Sequence, residues 1–187
     1  MDSNSRSKPR DQDDLEGIMQ RLPPSHSWKF RKGQGEDSSL LLVHQTDNQK
    51  RLLSQYGNNL CTLDAVYKTT KYSLPTFFIV IRADTTHQVV GSFIVSEETH
   101  NAIEEAVRVI REWNPSWNPL YWMTDCCAAV IDALENVFPG MPSPAAVKQN
   151  PVGTAKTALS NFSIFLTLAV FLIIALGIFS DFFPACI

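Results

Sequence analysis

Leu60-Cys-Thr-Leu-Asp-Ala-Val-Tyr-Lys-Thr-Thr-Lys-Tyr-Ser-Leu-Pro75 sets one carboxylate, Asp64, inside a β-compatible apolar run, and Tyr121-Trp-Met-Thr-Asp125 closes a second such run on another, Asp125. A carboxylate between Leu63 and Ala65 is costly to bury unless it is paired, hydrated or bound to a cation. Two carboxylates delivered by neighbouring strands are a donor set for divalent cations held against a phosphodiester. Asp64 and Asp125 are therefore the candidate catalytic and metal-binding residues.

The surrounding pattern supplies a sheet for them. Thr76 to Ala83 is a near-continuous apolar run of strand length, as expected of a central strand covered on both faces. A polar turn at Asp84 to His87 and a resumed strand pattern from Gln88 to Val95 predict an antiparallel hairpin. Ser96 or Thr99 can cap a following helix, with Glu97 and Glu98 near the positive end of its dipole. Its apolar stripe is Ile103, Ala106, Val107, Ile110 and Trp113, and it should end before Asn114-Pro115. Pro119 to Thr124 reads as a fourth strand that can lie parallel to an earlier one, and helical periodicity resumes from Cys126 to Val137. Upstream, Leu40 to His44 could be an edge strand and Gln45 to Tyr56 a surface helix that Gly57 ends.

These segments together resemble the catalytic core of Mutator-like (MULE) transposases, and more narrowly the ribonuclease H-like domain of animal SWIM zinc-finger proteins. The resemblance is carried by Asp64-Ala-Val-Tyr-Lys-Thr-Thr-Lys-Tyr, Leu74-Pro75, Phe77-Phe78, Trp113-Asn-Pro-Ser-Trp-Asn-Pro119, Met123-Thr-Asp125 and Val137-Phe-Pro139, with Leu42-Val-His-Gln-Thr46 and Gln49-Lys-Arg-Leu-Leu53 upstream. It implies an α/β fold, a partial ribonuclease H-like domain of order β-β-β-α-β-α with a mixed sheet, over residues 40–140. It also implies that Asp64 and Asp125 are the first two members of an Asp-Asp-Glu triad, with Mg2+ and nucleic acid as possible ligands. The family's third acid and its SWIM zinc finger have no counterpart in the sequence. Glu97, Glu98, Asp132 and Glu135 lie elsewhere, none of them at the family's third position. Two cations bring four positive charges, and two carboxylates offset half of that. The triad therefore reads as incomplete and Asp64 and Asp125 as vestigial, unless a partner chain supplies the missing acid to a metal-dependent strand-transfer or nuclease subunit. A fragmentary or fused gene product without function is a further alternative.

Simpler roles stand beside these. Asp125 can act as the N-cap of the helix that follows it. Lys68 and Lys71 fit a solvated face, and Trp113, Trp117 and Trp122 fit packing better than base stacking. A net charge of -3 with scattered basic residues argues against binding nucleic acid by charge alone. Cys61, Cys126, Cys127 and Cys186 have no zinc spacing, as befits thiols kept reduced in the cytosol or nucleus.

The ends read differently. Residues 1–39 are polar enough to expect disorder, with two helical turns possible from Leu15 to Leu22. Residues 141–156 read as linker. From Thr157 to Ser180 there is no charged residue over 24 positions, and fourteen positions between Leu159 and Phe179 are Leu, Ile, Val or Phe. At transfer values of -0.3 to -0.6 kcal/mol each, these sum to roughly -4 to -8 kcal/mol for insertion, and about 20 residues span a bilayer. The reading is a transmembrane helix over 157–180 with the membrane as partner. Lys148 and Lys156 before the segment would place a single-pass, tail-anchored protein with its domain in the cytosol, or in the nucleus if the segment is not used as an anchor. A buried core helix would require a large domain around it. Loss of the family's fifth strand would also leave a sheet edge open to self-association.

Overall fold

The computed structural model describes residues 9–33, 39–67, 74–124 and 127–140. Helix α1 (Pro9–Gln20) is followed by β1 (His26–Arg31), β2 (Leu41–Thr46), α2 (Asp47–Tyr56), β3 (Leu60–Val66), β4 (Thr76–Ala83), β5 (Thr86–Val95), α3 (His100–Trp113), β6 (Tyr121–Met123) and α4 (Ala128–Val137). The stretch from β3 to α4 is the expected β-β-β-α-β-α series. The strands form one mixed sheet in the order β1-β2-β5-β4-β3-β6, with β6 parallel to β3 and every other pair antiparallel.

Side chains alternate across this sheet and give it two apolar faces. One carries Leu41, Val43, Cys61, Leu63, Phe77, Ile79, Ile81 and Phe93, buried beneath Leu53 of α2, Ile103, Ala106, Val107 and Ile110 of α3, and Val130, Ala133 and Leu134 of α4. The α3 stripe anticipated from sequence is the buried one. Thr99 is the residue that caps this helix, its hydroxyl accepting from the Ala102 N–H at 3.3 Å. Thr46 and Gln49 close a reciprocal capping box at the start of α2, each satisfying a backbone donor that the first turn would leave orphaned. The opposite face holds Leu42 and Ile94 with Leu15 and Met19 of α1.

The sheet starts earlier than residue 40. β1 lies within the polar segment for which disorder was expected, and it pairs with the whole length of β2, so Leu41–Thr46 is an interior strand and not an edge. Trp28 and Phe30 on one face of β1 pack with Leu42, while Arg31 reaches α3 through Nη1, 2.7 Å from both carboxylate oxygens of Glu105. That alternation of apolar and basic residues is a strand signal, masked by the charged residues around it.

The membrane expectation is corrected. Among the described residues no helix is long and apolar enough to cross a membrane. The longest, α3, has 14 residues where about 20 are needed, and its apolar stripe is spent on the sheet. The fold class is accordingly an α/β domain with a mixed sheet and no described transmembrane helix, so neither a single-pass location nor a membrane partner follows from it. The stretch 157–180 lies outside the described residues.

Candidate functional site

The parallel pairing of β3 with β6 runs Leu60↔Tyr121, Cys61↔Trp122 and Thr62↔Met123, so both strands leave the sheet at the same end. Asp64 lies two residues beyond Thr62, the last residue of β3 paired with β6, and position 125 two residues beyond Met123, its partner. Asp64 is half-buried opposite Phe78 of β4, and its Oδ1 accepts from the Ala65 N–H at 3.0 Å. Asp125 lies outside the described residues, as do Lys68 and Lys71.

A third carboxylate is tied into this end of the sheet. The Tyr67 hydroxyl, three residues after Asp64, lies 2.9 Å and 2.8 Å from the two carboxylate oxygens of Glu98. The Cys127 thiol, two residues after position 125, donates to Glu98 Oε1 at 3.4 Å. Glu98 thus links the exit of β3 to the start of α4 from just before α3. Sequence alone reads Glu98 as a partner of the helix dipole. The tie spans 31 residues in one direction and 29 in the other, and no local spacing announces it.

The other candidates resolve into packing. Trp117 and Trp122 are fully buried, their rings edge to face at 5.6 Å, and Phe138 meets the Trp117 ring at 5.1 Å. The Arg111 guanidinium sits 4.8 Å over the Phe138 ring and donates to the Val137 carbonyl, holding the end of α4 against α3. These rings are core and offer no stacking platform to a base. Cys61 is buried, donates to the Gly57 carbonyl at 3.2 Å, and burial pushes its thiol up to about 12, the neighbouring Trp117 indole offsetting little of this. Such a thiol is neither nucleophile nor ligand near neutral pH. Among the described residues no group of three His, Cys, Asp or Glu side chains is placed to hold a metal ion.

A buried polar clamp and a histidine pair were not foreseen. Gln45 is fully buried on β2. Its Nε2 donates to the Val90 carbonyl at 2.8 Å, and its Oε1 accepts from Asn114 Nδ2 at 2.8 Å. Asn114 Nδ2 also donates to the Ile110 carbonyl at 2.7 Å, so the end of α3 is pinned to the middle of the sheet. His26 Nδ1 and His44 Nε2 are 2.9 Å apart across β1 and β2. Burial, with a smaller contribution from His26, lowers the His44 imidazole to about 4.

The model of the family described as Zinc finger SWIM domain-containing protein 1/3, RNaseH-like domain, matches residues 29–143. No curated protein and no solved structure matches the chain.

Proposed function

We propose, from the premise that this chain belongs to the ribonuclease H-like domain family of SWIM-domain zinc-finger proteins 1 and 3, that its domain is a transposase-derived one that acts by binding and no longer cuts. The engagement of Glu98 is the observation that carries this reading. A metal-dependent nuclease keeps its carboxylate lone pairs turned toward the cations and the scissile phosphate. Here both oxygens of Glu98 face the Tyr67 hydroxyl and one also takes the Cys127 thiol, so the acid serves as a brace between β3 and α4. One oxygen of Asp64 is likewise occupied by a backbone N–H. Asp64 and Asp125 would be the residues to meet Mg2+, and two carboxylates leave two cations half-neutralised.

Incubating the full chain with single- and double-stranded DNA in Mg2+ or Mn2+ tests the proposal. No metal-dependent cleavage is expected, while a retained shift of labelled nucleic acid would identify the ligand class. Cleavage that disappears in Asp64→Asn would overturn the reading.

A further inference from the structure

Phe78 and Val80 of β4 are each only 3% exposed, yet the apolar residues packed with them are Val66 of β3 and Val89 of β5, neighbours in the same sheet. Residues side by side on one sheet face shield each other laterally and leave the outward side open, so burial to this degree needs a second layer. α2, α3 and α4 lie on the opposite face, and the described apolar residues of α1 pack with β1, β2 and β5. No described apolar side chain from outside the sheet packs over them, which leaves an apolar cover to the residues that are not described.

Sequence narrows the choice. Residues 1–14, whose side chains are not described, carry only Met1 and Pro9 as apolar side chains, and 34–38 carry none. Residues 125–126 are Asp-Cys, and 68–73 hold one large ring, Tyr72, in the connection at the far end of β4 from Val80. The remaining undescribed part, 141–187, contains the uncharged stretch from Thr157 to Ser180. We infer that this stretch is the missing layer: it docks on the face formed by Val66, Phe78, Val80 and Val89 of its own chain. The sixteen residues 141–156 can extend up to about 50 Å, enough to carry the chain from the end of α4 around the sheet edge to the other face. An uncharged apolar stretch and an apolar sheet face without a described cover satisfy each other's need to leave water. Asp64 pairs with Phe78 and belongs to the same face. This inference does not depend on whether the domain cuts or only binds.

Placing the photoreactive residue p-benzoylphenylalanine at position 89, on the half-buried rim of the patch, tests it in the full chain. Irradiation should give cross-links that stay within the monomer and map to 157–180, and these should be lost when Ile173→Asp and Ile174→Asp are introduced together. Cross-links to 68–73 or to 1–8, a covalent dimer, no cross-link at all, or one unaffected by the paired substitution would each overturn the assignment.

Discussion

Replacing Gln45 and Asn114 together by apolar residues of similar size should destabilise the domain by clearly less than the sum of the two single replacements. Gln45 is fully buried and Asn114 is 7% exposed, so water cannot take over the bonds either loses. Gln45→Met orphans the Val90 carbonyl and one Asn114 donor; Asn114→Leu orphans Gln45 Oε1 and the Ile110 carbonyl. Each unsatisfied buried group costs about 1–3 kcal/mol, which makes about 3 kcal/mol a reasonable figure for either single change. In the double variant the two side chains no longer strand each other, and only the two carbonyls stay without donors. Its destabilisation should be about 3 kcal/mol where simple addition gives about 6 kcal/mol, a coupling of about 3 kcal/mol. Urea denaturation of the four proteins, followed by far-ultraviolet circular dichroism, measures this cycle. Additivity within about 0.5 kcal/mol would refute the claim that the two amides act as one clamp between β2 and the end of α3.

Three further outcomes follow from other parts of the fold. His44 is lowered to about 4 in the folded chain, against 6.5 for an ordinary imidazole, so the unfolded state takes up its proton first; stability should be full above about pH 6.5, fall as the pH drops toward 4 by no more than about 3 kcal/mol, and equal urea midpoints at pH 7 and pH 5 would count against it. A Cβ at Gly57 would meet the Leu53 carbonyl oxygen and Cδ1 at 2.5 Å, whereas one at Gly17 meets nothing within 4 Å, so thermal melts should show Gly57→Ala destabilised by about 1–3 kcal/mol and Gly17→Ala stabilised by up to about 1 kcal/mol. Among the described residues β6 has no strand on its outer side, and Leu120 and Tyr121 are 59% and 44% exposed there, so light scattering should show concentration-dependent self-association that Leu120→Lys with Tyr121→Lys reduces; a monodisperse chain at all concentrations would mean that the edge is covered.

What could be read from the sequence was local. The run from Thr76 to Ala83 is apolar at nearly every position because β4 is buried on both faces, and the α3 stripe recurs at helical spacing because a single face of that helix meets the sheet. β1 went unseen for the opposite reason. Its apolar members, Trp28 and Phe30, are interleaved with Lys29 and Arg31, and what holds it is the ladder to β2, with an ion pair from Arg31 to Glu105 across 74 residues. The Gln45–Asn114 clamp and the Glu98 brace are equally non-local, joining polar residues whose own neighbourhoods call for the start of a helix, the end of another and a dipole partner, although Gln45 lies in β2.

The site shows the same division. Asp64 announces itself because a carboxylate within a β-compatible apolar run must be accounted for, but the residues beside it in sequence give no hint of which acid stands across from it. The acid that the described structure brings to the shared end of β3 and β6 is Glu98, and it arrives with its oxygens already taken by Tyr67 and Cys127. Freeing it is a direct way to separate a brace from a dormant ligand. Tyr67→Phe removes two hydroxyl contacts while keeping the ring. If Glu98 only braces, the variant should lose no more than about 1 kcal/mol of stability, because the bond is exposed to water, and gain no affinity for Mn2+. If calorimetry instead detects Mn2+ binding that Asp64→Asn then abolishes, Glu98 has been held away from a site that its own chain can still assemble, and the reading of Glu98 as a brace alone fails.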